Sequence, residues 1–317
     1  MLSVLARGIQ FLPTAQLTSE QYRPTVASNG VDVFFSDSSD APLKKVSIEG
    51  GAIASLAAGE ISQRLPRFTL SGSTLLVADG ALIKSVPFPG GPVTTLLDAG
   101  SQPVDDIVAD GRTVLVGFPG GGGGGASVRR IPLDGGPPTD YAAPVAPPGG
   151  SGCLVRVAQD DTHVYWLASG ATSPDDCAIW RAPTEGGSAT ALVEGVIVDF
   201  ALSGQEIFFL ERFRSPTTGN VTASAELKRM SVGGGAATSL SASGTRVSVD
   251  GAAVFLGIGS TLTIVPRSGA PSTTVPGTGA PGAVEVSNAF DDLSVTGDSA
   301  YLTDYLAGTV VRVAPVP

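Results

Sequence analysis

The sequence is poor in the residues on which many enzyme and nucleic-acid sites depend. Its 317 residues include one histidine, two cysteines and two methionines, and charged residues make up only 15%. The net charge of −10 would repel a phosphate backbone, because such binding depends on lysine and arginine. No run of about 18 apolar residues occurs, which argues against a membrane-spanning helix. We therefore expect no nucleic-acid partner and no transmembrane segment.

The abundant residues favour strands. Apolar residues make up 42% of the chain, enough for a sizeable core, and there are 42 glycines and 24 prolines. Valine, threonine and leucine are common, whereas the helix-favouring residues Glu, Lys and Met are scarce. The composition predicts an all-β fold of short strands joined by tight turns, with almost no helix.

An internal repeat organises the chain. Each copy has an apolar strand, a turn with Gly or Asp, a very apolar strand, a polar loop, a basic strand, a Gly-Gly turn and a last apolar strand. The copy FTLSGSTLLVADGALIKSVPFPGGPVTTLLDAG spans 68–100. The first-turn residue recurs about every 44 residues, the period of a four-stranded β-propeller blade. Seven positions carry it: Gly30, Gly72, Gly111, Asp161, Gly204, Gly251 and Gly297.

The repeat predicts a single domain, 1–317, that forms a seven-bladed β-propeller of four-stranded antiparallel blades. The last copy ends before a fourth strand, and the opening segment SVLARG can supply it. We expect this N-terminal strand to close the last blade, since an open ring would leave sheet edges unpaired. The predicted blades span 24–59, 68–100, 107–144, 155–195, 200–243, 247–279 and 293–317 with 2–10.

The repeat resembles known bacterial propeller families. Second strands such as VYWLA, YLTD and VFFSD are followed by strands such as VRRIPLDGG and IWRAPTEGG. These segments resemble the YWTD, NHL and TolB-type repeats, over essentially the whole chain. Strict YWTD tetrads are absent, and the sixth copy lacks both the Gly-Gly turn and the usual basic residue. The resemblance implies the propeller fold, which serves binding scaffolds, receptors, lyases and hydrolases alike.

From the second copy onward, arginine and aspartate alternate where the first strand of a copy begins. This strand lines a propeller's central channel, so each arginine should lie between aspartates of adjacent blades. We interpret the column as structural inter-blade pairing; the alternative is a polar ring that binds an ion or small ligand. The column consists of Arg67, Asp106, Arg156, Asp199, Arg246 and Asp292.

The longer loops fall on one face of the predicted propeller, around 119–127, 141–153, 168–177, 211–225 and 276–292. Loops on a rigid scaffold often carry function, so this loop-rich face is the candidate binding surface; the alternative is that the loops are tolerated insertions. Aromatic residues and arginine dominate interface energetics. The candidate anchors are Phe118, Tyr141, Phe213, Arg214 and Phe290.

The two cysteines flank strands of one copy. Cys153 precedes the first strand of the fourth blade, and Cys177 precedes its third. Both belong to the loop-rich face, so we predict a disulfide and an oxidising compartment; the alternative is two free thiols. His163, the only histidine, lies in a short turn away from that face, and a catalytic role would need partners nearby.

These features favour a non-catalytic binding propeller. We expect an acidic, secreted, periplasmic or outer-surface monomer that binds a protein or a glycan and needs no metal or other cofactor. The opening residues lack a leader's basic start and cleavage site, so either the protein is not exported or a leader has been removed. A lyase or hydrolase is the alternative, with a carboxylate or divalent-metal site at the channel mouth formed by Asp105, Asp106, Asp291 and Asp292. A structural subunit of a larger assembly is the third possibility.

Overall fold

The protein is described here from a computed structural model. It describes residues 2–9, 25–63, 65–88, 90–99, 104–118, 126–142, 153, 156–169, 176–250, 252–258, 261–268, 271–276, 290–296, 299–304 and 309–313. Within these ranges all helical and strand structure is β-strand, as the composition predicts. No helix in the described residues has the length and apolar character needed to cross a membrane.

The first thirteen strands are β1 (Leu2–Arg7), β2 (Val26–Ser28), β3 (Asp32–Ser36), β4 (Leu43–Ser47), β5 (Ala54–Leu56), β6 (Arg67–Ser71), β7 (Thr74–Asp79), β8 (Leu82–Pro87), β9 (Thr94–Asp98), β10 (Asp106–Ala109), β11 (Thr113–Phe118), β12 (Ser127–Pro132) and β13 (Thr139–Ala142). The remaining strands are β14 (Arg156–Gln159), β15 (His163–Ser169), β16 (Cys177–Pro183), β17 (Thr190–Ser203), β18 (Glu206–Arg214), β19 (Val221–Ser231), β20 (Thr238–Gly244), β21 (Arg246–Val249), β22 (Ala253–Ile258), β23 (Thr261–Pro266), β24 (Thr273–Pro276), β25 (Phe290–Thr296), β26 (Ser299–Asp304) and β27 (Thr309–Val313).

The described strands form five four-stranded sheets and one seven-stranded sheet, not seven separate four-stranded sheets. The four-stranded sheets are β2–β5, β6–β9, β10–β13, β21–β24 and β1-β27-β26-β25, and β14–β20 form the seven-stranded sheet. The difference comes from β17, which runs for 14 residues. It pairs with β16 through its first half and with β18 through its second half.

The chain divides into two compact units, Met1–Gly100 with Asp250–Pro317, and Ser101–Val249. In the first unit, β1 pairs antiparallel with β27 and completes a four-stranded sheet. The predicted pairing of the N-terminal strand is therefore confirmed. Leu5 of this strand and Ile9, two residues beyond its end, are buried in one apolar cluster with Phe35 and Tyr301. This cluster packs the sheet that contains β1 against the sheet β2–β5.

In the second unit, neighbouring sheets are also joined by apolar side chains. Leu115 and Tyr141 of the sheet β10–β13 pack with Trp166 and Trp180 of the next sheet. Trp166 has no exposed surface. The long apolar runs of the middle strands are thus explained, because strands covered on both faces need apolar residues on both.

The turn after the first strand has the same construction in four copies. A side-chain oxygen accepts the backbone N–H groups two and three residues further on, which gives an Asx turn. The residues are Asn29, Asp110, Asp160 and Asp250. The next residue in three of them is a predicted glycine anchor, Gly30, Gly111 or Gly251, and φ is 84° at Gly30 and 87° at Gly111. Such positive φ values favour glycine.

Asp79, at the end of β7, is a buried carboxylate in the first unit. Its Oδ1 accepts the N–H groups of Ser62 at 3.0 Å and Gln63 at 2.6 Å, and its Oδ2 lies 2.7 Å from the Nζ of Lys84. Burial acts to raise the pKa of Asp79, but the bonds from Lys84, from the N–H of Gln63 and from the hydroxyl of Ser62 outweigh it, so the pKa lies below its ordinary value. The ionised carboxylate therefore fixes the segment that leads out of the sheet β2–β5.

Candidate binding cleft

Three members of the Arg/Asp column, Asp106, Arg156 and Asp199, lie together in the second unit. The Nε of Arg156 lies 3.1 Å from the Oδ1 of Asp199, and its Nη1 lies 3.8 Å from the Oδ1 of Asp106. Arg156 thus lies between the aspartates of the preceding and following copies, as the repeat predicts. All three side chains are at least mostly buried, with exposed fractions of 13% for Arg156, 15% for Asp106 and 4% for Asp199.

The two aspartates also hold the backbone of neighbouring strands. Asp106 Oδ2 accepts the N–H of Val157 at 3.0 Å, and Asp199 Oδ2 accepts the N–H of Val247 at 3.0 Å. Both acceptors are therefore used in structural contacts between successive copies. The choice between structural inter-blade pairing and a ligand-binding ring stays a prediction.

The rest of the column stays a prediction. Arg67 in β6 and Arg246 in β21 are buried, with 4% and 6% of their surface exposed. The side chain of Asp292 lies outside the described residues. The same is true of the side chain of Asp291. Of the four carboxylates that the enzyme hypothesis places at the channel mouth, the structure therefore describes only those of Asp105 and Asp106. Within the described ranges, no three His, Cys, Asp or Glu side chains come together as metal ligands would.

The predicted disulfide between Cys153 and Cys177 is confirmed, with the two Cα atoms 5.9 Å apart. Cys177 begins β16 and follows Asp176 directly. The bridge therefore fixes the start of β16, next to Asp176, to Cys153. Asp176 lines the cleft described below.

A long hairpin, formed by β18 and β19, carries the predicted anchors Phe213 and Arg214. Its tip is ordered by backbone bonds from Ser215 to Asn220 at 2.8 Å and from Gly219 to Ser215 at 2.9 Å. Near the tip the strand register shifts between Arg212 and Arg214, so Phe213 occupies a β-bulge. The N–H of Phe213 donates to the hydroxyl of Thr222 at 3.0 Å. The bulge leaves 63% of Phe213 exposed, consistent with the way bulges redirect side chains.

A cleft of about 610 Å³ opens beside this hairpin in the second unit. Its wall contains three acidic and three basic side chains, together with serine and threonine hydroxyls and the ring of Phe213. The charged residues are Asp176, Glu211, Glu226, Arg212, Arg214 and Lys228. The hydroxyl residues are Thr222, Ser224, Ser241 and Ser243.

Five of the six charged side chains of the cleft form ion pairs with one another. Arg214 Nη2 lies 3.0 Å from Asp176 Oδ1, and Lys228 Nζ lies 2.6 Å from Glu211 Oε2 and 3.9 Å from Glu226 Oε2. These side chains are partly exposed, between 23% and 49%. The pairs therefore hold the side chains in place while each keeps an accessible surface toward the cleft.

Gly195 makes room for one of these carboxylates. A Cβ at this position would collide with the Oε1 of Glu211. Gly195 belongs to β17, where it pairs with Cys177. The absence of a side chain at 195 thus permits the position of Glu211 over the floor of the cleft.

On the far side of the cleft, the outermost strand β20 is irregular. Its register against β19 shifts between Glu226 and Lys228, and Ser241 has a φ of 51°. A positive φ is unusual for serine and interrupts the extended backbone. The N–H of Ser241 is satisfied locally by the hydroxyl of Ser239 at 3.2 Å.

Two other predicted anchors, Phe118 and Tyr141, do not lie at this cleft. Phe118 and Tyr141 are buried, with 5% and 3% exposed. Tyr141 donates from its hydroxyl to the carbonyl of Thr184 at 2.6 Å and packs 6.3 Å from the ring of Trp166. Phe290 begins β25, and its side chain lies outside the described residues. Sequence reasoning missed Glu211, Glu226 and Lys228. The available signal was the charged residues of two unusually long strands, nine residues in β18 and eleven in β19.

His163 lies at the opposite strand ends, in an Asx turn. Its Nδ1 is 2.8 Å from the hydroxyl of Thr162, and its N–H donates to Asp160. The hydroxyl of Tyr165 donates to Asp160 at 2.7 Å. Burial acts to raise the pKa of Asp160, but the N–H of Thr162 and the hydroxyl of Tyr165 outweigh it, so its pKa lies below the ordinary value. Turn formation accounts for this group.

Comparison with known proteins shows the fold alone. No protein-family model matches the chain, and no curated protein matches it. Hydrazine synthase from Kuenenia stuttgartiensis is similar in structure with a TM-score of 0.67 and 13% identity, over 92% of this chain and 95% of that chain. A puromycin hydrolase mutant has a TM-score of 0.66 and 16% identity; the match covers 98% of this chain and only 55% of the hydrolase.

The β-propeller domain of Swd1 from Myceliophteria thermophila matches over the full length of both chains, 100% of each, with a TM-score of 0.61 and 10% identity. These likenesses, together with the antiparallel four-stranded sheets, establish a β-propeller fold. The resemblance to propeller proteins expected from the repeat is confirmed at the level of the fold.

Proposed function

We propose that this chain is a non-catalytic binding propeller that holds a protein or a glycan on its loop-rich face. The carrying observation is the cleft beside the β18–β19 hairpin. There a solvent-exposed aromatic ring, Phe213, lies next to fixed charged groups. The hairpin is ordered by its own hydrogen bonds, so the surface is preformed, which lowers the entropy lost on binding.

The proposed architecture is a single ring of seven blades. In it, β17 serves two blades, as the last strand of the fourth and the first strand of the fifth. With the five four-stranded sheets, this division accounts for all seven copies of the sequence repeat. We further propose that the protein lies outside the cytoplasm, because disulfides persist mainly in oxidising compartments. We also propose that it functions as a monomer.

The experiment compares binding by the two faces. The wild-type protein is immobilised and exposed separately to extracted surface polysaccharide and to solubilised envelope proteins. We expect Phe213→Asp combined with Arg214→Glu to abolish retention of whichever material binds. Arg112→Glu, a matched charge reversal in the exposed turn between β10 and β11, should leave binding intact. The proposal would be contradicted if both variants lost binding equally. It would also be contradicted if the wild-type protein retained neither the polysaccharide nor any envelope protein.

A further inference from the structure

We infer that the ligand of the cleft is an uncharged carbohydrate, one ring of which stacks on Phe213 while its hydroxyl groups bind the surrounding charged side chains. This inference rests on the proposed function, because it requires the loop-rich face to be the binding face. It adds the chemical class of the ligand and the side chains that recognise it.

Phe213 has the placement that a stacking ring requires. Five large apolar side chains are exposed in the described ranges, and Phe213 is the aromatic one among them. The other four are Val31, Ile53, Leu96 and Val221. The face of an aromatic ring is electronegative, so it attracts the polarised C–H groups of a sugar face. The bulge holds the ring outward, and the bond from Phe213 N–H to Thr222 replaces the ladder bond lost there.

The charge balance of the cleft favours an uncharged ligand. Three acidic and three basic groups line it, and the closest pairs are already in contact. A divalent cation needs clustered oxygen ligands without interleaved cations, and a polyanion needs an excess of basic groups. A polyhydroxylated ligand can bind both the acidic and the basic side chains of the cleft, because its hydroxyls donate to carboxylates and accept from arginine and lysine.

The size of the cleft also fits a small oligosaccharide. Its volume of about 610 Å³ lies within the range of roughly 300–1,000 Å³ found for small-molecule sites. The wall is rich in polar side chains and contains a single aromatic ring, so an apolar ligand would leave these polar groups without solvent or partners.

A peptide that binds as an added strand is disfavoured. Such binding needs a regular free sheet edge, and β20 is the last strand of its sheet. The register shift and the positive φ of Ser241 interrupt that edge beside the cleft. Bulges of this kind oppose pairing with another chain.

The test uses the full chain and a defined set of probes. Hexasaccharides of glucose, mannose, xylose and N-acetylglucosamine are the uncharged probes, heparin and polygalacturonate the anionic probes, and binding is measured by calorimetry. We expect at least one uncharged probe to bind and both anions to bind more weakly. Phe213→Ala should weaken binding at least tenfold, which corresponds to about 1.4 kcal/mol. Phe213→Trp keeps an aromatic face and should restore affinity.

A glycine pair tests the role of Glu211 separately. Gly195→Ala places a Cβ where the carboxylate of Glu211 lies, so it should weaken binding several-fold without removing any charge. Gly233→Ala is the matched control, because its Cβ would meet only the hydroxyl of Ser231 at 3.5 Å. Its affinity should equal that of the wild type.

The failures can be told apart. If no uncharged probe binds, or if Phe213→Ala binds as well as the wild type, the carbohydrate inference is wrong. If the wild-type protein nevertheless binds an envelope protein, and the Phe213→Asp, Arg214→Glu double variant does not, the proposed binding face remains supported. Preferential binding of heparin would overturn the argument from charge balance.

Discussion

Replacement of Arg156 by methionine should destabilise the second unit strongly. The guanidinium lies between Asp106 and Asp199, at 3.8 Å and 3.1 Å, and only 4% of the Asp199 side chain is exposed. Methionine fills a similar length without a charge. The substitution therefore leaves Asp199 buried without the Arg156 cation, although the N–H groups of Val247 at 3.0 Å and of Phe200 at 3.1 Å still donate to it.

The expected loss follows from the burial of the pair. Removing one partner of a buried pair costs about 3–5 kcal/mol, and the two remaining backbone donors place the value near the lower end, at about 3 kcal/mol. For a unit of about 150 residues, each kcal/mol lowers the melting temperature by roughly 2–4 °C. We therefore expect a fall of about 6–12 °C.

The assay is thermal unfolding followed by circular dichroism at neutral pH, with Arg229→Met as the control. Arg229 pairs with Glu206 at 3.5 Å, and both side chains are partly exposed, 40% and 31%. An exposed pair contributes about 0–1 kcal/mol, so this variant should melt within a few degrees of the wild type. Equal shifts in the two variants would refute the structural role of Arg156.

Three further predictions concern stability. Replacing Cys153 and Cys177 by serine should cost about 3 kcal/mol in denaturant unfolding, and an unchanged midpoint would count against the bridge. Asp79→Asn should destabilise the protein at neutral pH; because the folded pKa lies below the ordinary value of 3.8, the stabilisation is complete above that pH and declines as pH falls toward the folded pKa. A constant difference from the wild type down to about pH 2 would contradict it. Deleting residues 1–10 removes β1 and buried Leu5 and Ile9, worth about 1.5–3 kcal/mol each, so the melting temperature should fall by many degrees; an unchanged melting curve would exclude the pairing.

Local sequence signals predicted much of the fold. The first-turn glycines mark positions that require positive φ, as at Gly30 and Gly111, and the strand composition is read directly from short runs. The grouping of Arg156 with its two aspartates was predictable because these residues hold equivalent positions at the start of the first strands of successive repeats. The disulfide was predictable because Cys153 and Cys177 flank strands that lie close together in a single blade.

The sequence predicted seven separate sheets, whereas the described strands form six, because β17 continues from the fourth copy into the fifth without a turn. The segment TALVEGVIVDFALS contains no proline and only one glycine, and the chain stays extended through Gly195. Where one strand ends and the next begins depends on pairing with β16 and β18, which the segment itself does not encode.

The binding cleft was predictable only in part. Phe213 and Arg214 stood out as an aromatic and an arginine in a long loop. Phe118 and Tyr141 have the same chemical character, but side chains of neighbouring strands bury them. The exposure of Phe213 depends on a bulge with Thr222, and the position of Glu211 depends on Gly195 in another strand. Such contacts between distant parts of the chain leave no pattern in a local reading.

The most direct test of the binding cleft is a crystal structure of the protein with the oligosaccharide that binds best. The account predicts electron density for a sugar ring parallel to Phe213, with hydroxyl groups within hydrogen-bonding distance of Glu211 or Arg214. Density on the face of the Asx turns, or a sugar that leaves Phe213 uncovered, would contradict it.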